Sequence, residues 1–354
     1  MNILVTGATG LLGRKTVSRL LAEPSVARIY LLARPATRVA DIGSGWPCEI
    51  VRGDLRDPGL GLAWDDRAQL SRRVTTVIHL AANTSFSQTL DEARATNRDG
   101  TMNLLELCTE WPSVTRFLYV STAFVAGLRT GRVDEAPDST GGGWANAYEQ
   151  SKAEAEAAVR ASREDWTIVR PTTVVCDDAS GRITQVNAVH RALRLYFGGL
   201  AAMLPSTEDS AVDVVTAEYV ADGIARLVQA RDVERMAFHL CAGSGAMPLG
   251  ELLDVTYDAF LRSSAWRRKG IVRPVRTDME TYRLFERAAY DAGSDRVRQA
   301  LKSLSHFVPQ LAFPKTFCTA RADELLGAPA RPVASFWTKM VDNLVDNDRA
   351  RAAA

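Results

Sequence analysis

The chain has 354 residues, of which 46% are hydrophobic and 24% are charged, and its formal net charge at pH 7 is +1. This length allows one large domain or two unequal ones, and the near-neutral charge excludes binding to nucleic acid or an anionic membrane through an overall field. No uncharged run approaches the roughly 18 residues needed to cross a bilayer, so we expect no membrane segment. The five cysteines form no Cys-x-x-Cys pair, which predicts reduced thiols, no metal site and a cytoplasmic protein.

The first predicted unit is a strand, a glycine turn and a helix. An apolar run from Asn2 to Thr6 predicts a buried strand, and apolar residues recur at helical spacing from Leu11 to Leu21. Glycines in the G-x-x-G-x-x-G turn let the backbone approach a pyrophosphate, and the helix N-terminus attracts the anion. The unit therefore predicts dinucleotide binding. The residues expected to hold the cofactor here are Gly7, Thr9, Gly10, Leu11, Leu12, Gly13 and Arg14.

The second predicted strand, Arg28 to Ala33, ends at Arg34. In a dinucleotide fold an acidic residue at this place holds the ribose hydroxyls of NAD, whereas arginine suits the 2′-phosphate of NADP. Arg14 and Arg38 can join Arg34, because guanidinium groups hold phosphate oxygens in two places. We therefore expect NADPH as the cofactor. The alternative is that these arginines are solvated surface residues.

Four further strands alternate with helices as far as Cys176, which is typical of a doubly wound parallel sheet. These predicted strands are Glu49 to Val51, Val74 to Leu80, Phe117 to Ser121 and Trp166 to Val175. The last of them is expected to leave the sheet at Pro171. Ligands of such sheets lie at the carboxyl ends of the strands. The cofactor candidates there are Asp54, which we place near the adenine, Leu55, Ala81, Ala82, Asn83, Pro171, Thr172 and Thr173. His79 is interpreted as a packed core residue.

The fold expected from this order is α/β: a Rossmann-like, doubly wound parallel sheet with a smaller, mainly helical C-terminal substrate-binding cap. The NADP-binding domain is predicted at residues 1–175, with 211–242 returning to it, and the cap at 176–210 and 243–354. Three local predictions matter below. They are one long helix from Leu90 to Cys108, an irregular loop from Gly131 to Asn146, and a helix from Phe313 to Leu326.

The candidate catalytic residues are Thr122, Tyr148 and Lys152. Thr122 follows the fifth strand, and Tyr148 and Lys152 lie one turn apart on one face of a predicted helix from Ala147 to Ala161. Such a group can donate a proton to a carbonyl oxygen as hydride arrives. We expect the Lys152 ammonium and an oxidised nicotinamide to lower the tyrosine pKa from near 10, and Thr122 to bond the developing oxyanion. A chance Tyr-x-x-x-Lys on an exposed helix is the alternative.

Together these motifs make the chain resemble an extended short-chain dehydrogenase/reductase as far as about Gly245. They are TGATGLLG at Thr6 to Gly13, GDL at Gly53 to Leu55, HLAA at His79 to Ala82, Asn97 in TNRDGT, VST at Val120 to Thr122, YEQSK at Tyr148 to Lys152 and VRP at Val169 to Pro171. The resemblance implies that Thr122, Tyr148 and Lys152 are catalytic and that Asn97 supports the proton relay. A homodimer is a superfamily expectation only.

Within that superfamily the chain is most similar to thioester reductase domains and fatty acyl-CoA reductases. The similar segments are AANTSF at Ala81 to Phe86, YEQSKAEAE at Tyr148 to Glu156, VDVVTAEYVADGI at Val212 to Ile224 and FVPQLAFPKTF at Phe307 to Phe317. This similarity implies NADPH-dependent reduction of an acyl thioester to an aldehyde or an alcohol. It also implies a substrate held on coenzyme A or on an acyl carrier protein.

Other functions stay open. A reductase of free aldehydes or ketones, a redox-neutral sugar-nucleotide epimerase or dehydratase, and a non-catalytic nicotinamide-sensing regulator share these motifs. Arg34 disfavours the epimerase, which usually recycles NAD, and the complete Thr122, Tyr148 and Lys152 set disfavours the regulator. The basic run from Arg262 to Arg276 is interpreted as a solvated face, with contact to an acidic carrier or to coenzyme A phosphates as the alternative.

Overall fold

The computed structural model describes residues 1–38, 47–136, 143–305 and 308–353. The strands are β1 Asn2–Thr6, β2 Arg28–Ala33, β3 Glu49–Arg52, β4 Thr76–His79, β5 Arg116–Val120, β6 Gly131–Val133, β7 Trp166–Pro171, β8 Thr173–Cys176, β9 Met203–Pro205, β10 Ala211–Val212, β11 Val214–Thr216, β12 Met236–Leu240, β13 Met247–Pro248, β14 Val275–Thr277 and β15 Lys315–Phe317. The helices are α1 Leu11–Leu21, α2 Trp64–Arg73, α3 Leu90–Asn97, α4 Asp99–Thr109, α5 Ala147–Ser162, α6 Ala188–Phe197, α7 Ala217–Gln229, α8 Leu249–Leu261, α9 Ser264–Arg267, α10 Met279–Ala292, α11 Asp295–Leu304, α12 Val308–Ala312, α13 Ala320–Leu326 and α14 Trp337–Ala353.

Seven strands form one parallel sheet in the order β12-β7-β5-β4-β1-β2-β3. Successive side chains of β1 enter opposite cores, with Ile3 and Val5 in one and Leu4 in the other. Helices α1 and α7 pack on the first face, and α4 and α5 on the second. The strand order reverses between β1 and β4, which opens a crevice at the carboxyl ends of these two strands. The predicted fold class is confirmed.

The strand predicted over Trp166 to Val175 leaves the main sheet at Pro171, as expected, and continues as β8, which pairs with β11 outside that sheet. Three other local predictions are wrong at least in part. The helix predicted over Leu90 to Cys108 breaks at Arg98, between α3 and α4. The start of the loop predicted over Gly131 to Asn146 forms β6, which pairs with β15 in the segment predicted as a helix from Phe313 to Leu326. The second half of that segment is helical, as α13. Residues 137–142 of the predicted loop lie outside the described residues.

The C-terminal part contains most of the remaining helices. Helix α14 packs against α8, and α11 packs against α6 and α10. Helix α13, by contrast, lies against β12 and α7 of the main sheet layer. The predicted domain boundaries therefore stay a prediction. Within the described ranges, no helix has both the length and the apolar character needed to cross a lipid bilayer.

Candidate active site

The glycine turn between β1 and α1 leaves no room for a side chain at Gly7 or at Gly13. Gly7 has φ +74°, and a Cβ there would lie 2.6 Å from the Ala81 backbone nitrogen. A Cβ at Gly13 would lie 2.1 Å from the Gly7 carbonyl oxygen. The α1 N-terminus begins at Gly10 with no side-chain cap and no acidic residue in its first turn. This bare, close-packed helix start fits the pyrophosphate of a dinucleotide.

The residues at the ends of β2 and β3 form the predicted adenosine end. Arg34 and Arg38 are exposed, and Arg52 Nη1 donates to the carbonyls of Arg34 and Thr37 at 3.1 and 2.7 Å, which holds the turn. Two Arg56 guanidinium nitrogens bind the Asp54 carboxylate, and this contact lowers its pKa. Arg52 is a residue that sequence reasoning missed, since its role depends on pairing of β3 with β2.

Two other predicted cofactor residues make contacts within the protein. The Arg14 guanidinium donates to the carbonyl of Thr9, inside the glycine turn. The Leu55 side chain is buried against Gly100, and its carbonyl accepts from Asn103 Nδ2 at 2.8 Å. The roles of Arg14, Asp54 and Leu55 in cofactor binding stay predictions.

A buried chain of hydrogen bonds runs from the glycine turn to Asn97 through His79. The Ala81 N–H donates to Thr6 Oγ1 at 3.1 Å, and Thr6 Oγ1 lies 2.7 Å from His79 Nδ1. His79 Nε2 lies 2.9 Å from Thr101 Oγ1, which donates to the Asn97 carbonyl at 2.6 Å. Burial, with a smaller effect of Lys152, lowers the His79 pKa to about 3, so the ring is neutral. It is the packed core residue that the sequence predicts.

Asn97 joins the β4 end to the catalytic helix. Its Oδ1 accepts from the Asn83 N–H at 2.8 Å, and its Nδ2 donates to the Asn83 carbonyl and to Ser151 Oγ at 3.1 and 2.9 Å. Ser151 Oγ donates in turn to the Tyr148 carbonyl at 2.9 Å. Asn97 therefore orients both a predicted cofactor segment and the first turns of α5, while its role in a proton relay stays a prediction.

Thr122 and Tyr148 meet at the end of β5. Thr122 is buried and caps the short helix Ala123–Ala126, and its side chain lies close enough to Tyr148 to influence the pKa of the phenol. The Phe86 ring packs 5.6 Å from the Tyr148 ring, centroid to centroid. Burial raises the Tyr148 pKa to about 12, while the nearby Thr122 side chain acts in the opposite direction. The hydroxyl is therefore protonated at neutral pH, as a proton donor must be.

The sequence predicts that the Lys152 ammonium lowers the Tyr148 pKa, and the structure gives the contacts of this ammonium. Its Nζ donates to the Val120 carbonyl at 2.7 Å and lies 4.1 Å from the centre of the Tyr119 ring. Burial lowers the Lys152 pKa to about 7. Burial of the phenol dominates the Tyr148 pKa in the protein without cofactor, so the predicted effect of Lys152 and an oxidised nicotinamide stays a prediction.

Glu149 is a buried acid next to Tyr148 that sequence reasoning did not single out. Its carboxylate accepts from the Ala145 N–H at 3.1 Å, from Asn146 Nδ2 at 3.0 Å and from Gln310 Nε2 at 2.6 Å. Burial raises its pKa to about 7, and Lys315 partly offsets this. Because Gln310 lies on α12, this carboxylate ties the start of α5 to the C-terminal segment. Its position beside the tyrosine in YEQSK was the available signal.

We expect Glu149→Gln to gain stability relative to the wild type as the pH rises from 4.5 to 7. The Glu149 pKa is about 7 in the folded protein, against an ordinary 4.5, so the folded state binds more protons in this window. The wild type therefore loses stability as the pH rises, whereas glutamine cannot ionise. Thermal unfolding across this window measures the difference in Tm.

Glu154→Gln is the matched control on the same helix. Arg94 lowers the Glu154 pKa below its ordinary 4.5, so ionised Glu154 stabilises the fold and this contribution is lost only as the pH falls below that value. The Tm difference between Glu154→Gln and the wild type should therefore change little across most of the window from pH 4.5 to 7. A Tm difference between Glu149→Gln and the wild type that does not change with pH would contradict this assignment.

Pro171, Thr172 and Thr173 lie beside Thr122, where the chain leaves the main sheet. Thr122 Oγ1 is 3.5 Å from the Pro171 carbonyl oxygen, and Thr172 Oγ1 donates to Asp213 Oδ1 at 2.7 Å. The Asp213 carboxylate also accepts the N–H groups of residues 242 and 243 at 2.8 and 2.9 Å. Asp213 thus holds three segments together at the edge of the site, a role that only their proximity in space reveals.

The basic run is mostly engaged within the C-terminal part. Arg262 Nη2 contacts both oxygens of Asp342 at 2.6 and 2.8 Å, and Arg273 Nε lies 3.1 Å from Asp254. The Trp266 ring is buried. These contacts fit the interpretation of a structural, solvated face.

The amino-acid sequence matches a known protein family over more than half of its length. Residues 5–42 and 47–224 match the model of an NAD-binding family described as male sterility protein. The chain belongs to the male sterility protein family. The chain is 30% identical over 165 residues to "Fatty acyl-CoA reductase 2, chloroplastic" of Arabidopsis thaliana, and the alignment covers 39% of the chain and 27% of the plant protein.

A second relative aligns with most of the chain. The chain is 28% identical over 331 residues to "Polyketide synthase-nonribosomal peptide synthetase ACE1" of Pyricularia oryzae, and the alignment covers 88% of the chain but 8% of the fungal protein. The chain thus spans a small part of both relatives.

Solved structures share the fold of this family member. The terminal R domain of the myxalamid PKS-NRPS pathway aligns over 98% of the chain and 90% of its own length, with a TM-score of 0.75 and 24% identity. A thiolation-reductase di-domain from an archaeal non-ribosomal peptide synthetase gives a TM-score of 0.71 at 18% identity, over 98% and 76% of the two chains. The resemblance to reductases of the thioester and fatty acyl type is confirmed.

Proposed function

We propose that this protein is an NADPH-dependent reductase of an acyl thioester, which it converts to the aldehyde or, in a second reduction, to the alcohol. The observation that carries the proposal is the position of Thr122 and Tyr148 next to each other at the carboxyl edge of a sheet whose glycine turn can accept a dinucleotide. The substrate class is supported by relatives named as a fatty acyl-CoA reductase and as polyketide–peptide synthetases.

Each residue of the site has a separate role in the proposed reaction. The reduced nicotinamide supplies the hydride that adds to the thioester carbonyl carbon. Thr122 holds the carbonyl oxygen by a hydrogen bond, and Tyr148 donates its phenolic proton to the oxyanion as it develops. The resulting hemithioacetal then breaks its C–S bond, and the sulfur leaves as a thiol with the proton of the hemithioacetal hydroxyl. Asn97 and Ser151 keep α5, and with it Tyr148, in place during these steps.

The substrate is proposed to arrive as a thioester of coenzyme A or of an acyl carrier protein. Support comes from the names of the relatives and from the archaeal structure, in which a thiolation domain is joined to a reductase domain. The test follows NADPH consumption and release of free thiol together, with acyl-CoA, carrier-bound acyl groups, free aldehydes and sugar nucleotides. One oxidised cofactor per thiol released supports reduction to the aldehyde, and two per thiol support reduction to the alcohol. Oxidation with free aldehydes alone favours a carbonyl reductase, and conversion of a sugar nucleotide without oxidation favours the epimerase.

NADPH rather than NADH is the proposed cofactor, and Arg34→Ala tests it. We expect the Kd for NADPH to rise at least about tenfold and the Kd for NADH to change little, because only NADPH carries the 2′-phosphate that the guanidinium would bind. Titration of the two cofactors by fluorescence measures both constants. Arg72→Ala, an exposed arginine of α2, is the control. Equal weakening of both cofactors would contradict the assignment.

A further inference from the structure

A small cavity is lined by residues that contact Thr122 and the neighbour of Tyr148. Phe124, whose N–H donates to Thr122 Oγ1 at 3.3 Å, lines it on the main-domain side. Gln310, which binds the carboxylate of Glu149, lines it on the C-terminal side. The cavity has a volume of about 30 Å³, enough for one small group rather than a long chain. One residue therefore separates it from Thr122 on one side and from Glu149 on the other.

Lys315 brings an ammonium to this cavity. It lies on β15, which pairs with β6, and its Nζ donates to the Phe313 carbonyl at 2.9 Å and reaches Gln310 Oε1 at 3.5 Å. An ammonium carries three N–H bonds. Among the described residues these two oxygens are its hydrogen-bond acceptors, so one N–H can be donated to a ligand.

Asp213 lines the same cavity and restricts the ligand. Its carboxylate accepts three hydrogen bonds from protein donors and can accept more. A carboxylate on the ligand would be repelled by it, and a plain methylene would satisfy neither Asp213 nor Lys315. A hydroxyl accepts from the ammonium and donates to the carboxylate. The remaining walls include the apolar side chains of Phe124, Leu311 and Phe317, which suit the carbons next to that hydroxyl.

We propose that Lys315, together with Asp213, is a specificity determinant that binds a hydroxyl group on the acyl chain of the substrate. This inference rests on the proposed function for its substrate class. It adds that hydroxyacyl thioesters are preferred over unsubstituted ones, because the latter leave the third N–H of Lys315 and the remaining acceptor capacity of Asp213 unused in the cavity. Glu149, through Gln310, positions Lys315 at the cavity wall.

The test compares hydroxyacyl thioesters with the unsubstituted thioester of the same length, on the wild type and on Lys315→Met. We expect the wild type to favour the best hydroxylated chain by about tenfold or more in kcat/KM, as a hydrogen bond to a charged group predicts. In Lys315→Met the ratio of kcat/KM between the hydroxylated and the unsubstituted substrate should fall to about one, and Lys315→Arg should restore part of the preference. Lys302→Met, an exposed lysine of α11, should match the wild type.

A binding measurement separates this inference from the proposed function. Thioether analogues of both chains cannot be reduced, so calorimetry reports their affinity even if no thioester turns over. Tighter binding of the hydroxylated analogue to the wild type, lost in Lys315→Met, supports the inference. Equal binding of the two analogues, an equal loss for both in the variant, or a weaker NADPH affinity of the variant would each overturn it. Absence of turnover with intact discrimination in binding would instead count against the proposed reduction alone.

Discussion

Tyr148→Phe is expected to lower kcat for thioester reduction by about 10²- to 10⁴-fold, the range of general acid catalysis, while the Kd for NADPH stays within about twofold. The variant removes the proton that the carbonyl oxygen must receive, but it keeps the ring that packs on Phe86. Stopped-flow measurement of NADPH oxidation, with a separate titration of cofactor binding, resolves the two effects.

The control for this prediction is Tyr290→Phe, an exposed tyrosine on α10, which should behave as the wild type. Because Thr122 lies beside Tyr148 and is proposed to hold the carbonyl oxygen, Thr122→Val should show a smaller loss in the same parameter. Retention of more than about a third of the wild-type kcat in Tyr148→Phe would contradict the assignment of Tyr148 as proton donor.

Gly13→Ala is expected to abolish measurable dinucleotide binding and to lower the Tm. Its Cβ would lie 2.1 Å from the Gly7 carbonyl oxygen and 2.7 Å from the Ala8 Cα, both backbone atoms that cannot rotate away. The glycine turn must therefore open, at a cost of about 1 to 3 kcal/mol in the free energy of unfolding. Thermal unfolding and NADPH titration measure the two losses.

Gly10→Ala provides a matched comparison in the same turn. Gly10 has φ −72°, and a Cβ there would approach only the Gly7 carbonyl oxygen, at 3.4 Å. We expect the Tm of this variant to stay close to that of the wild type, whereas its affinity for NADPH falls because Gly10 begins the helix that faces the pyrophosphate. If Gly13→Ala bound NADPH as well as the wild type, the glycine turn could not be the cofactor site.

The pKa values of Tyr148 and Lys152 show where an argument from spacing stops. Their separation of four residues correctly places both on α5, and the tyrosine meets Thr122 as expected. The direction of the Tyr148 pKa shift depends on how completely the phenol is desolvated and on where the Lys152 ammonium points. Both depend on packing against Val120 and Tyr119, residues that lie on a different element.

The C-terminal segment shows the same limit more strongly. The local sequence from Phe313 to Leu326 favours a helix, and its first part becomes β15 because β6 offers a strand edge there. This pairing places Lys315 at the cavity that Phe124 also lines, although these two residues lie far apart in the chain. No periodicity within residues 313–326 contains that information.

The sequence by itself determined the strand–turn–helix start, the alternation that yields a parallel sheet, and the identity of Thr122, Tyr148, Lys152 and Asn97 as candidates. These features are local: they follow from glycine geometry, from hydrophobic period and from the fixed spacing of residues on a helix. Only the tertiary structure decided the break at Arg98, the hydrogen bonds of His79, the burial of Glu149 and the place of Lys315. Those features depend on contacts between segments far apart in the chain, whose geometry and desolvation no single segment encodes.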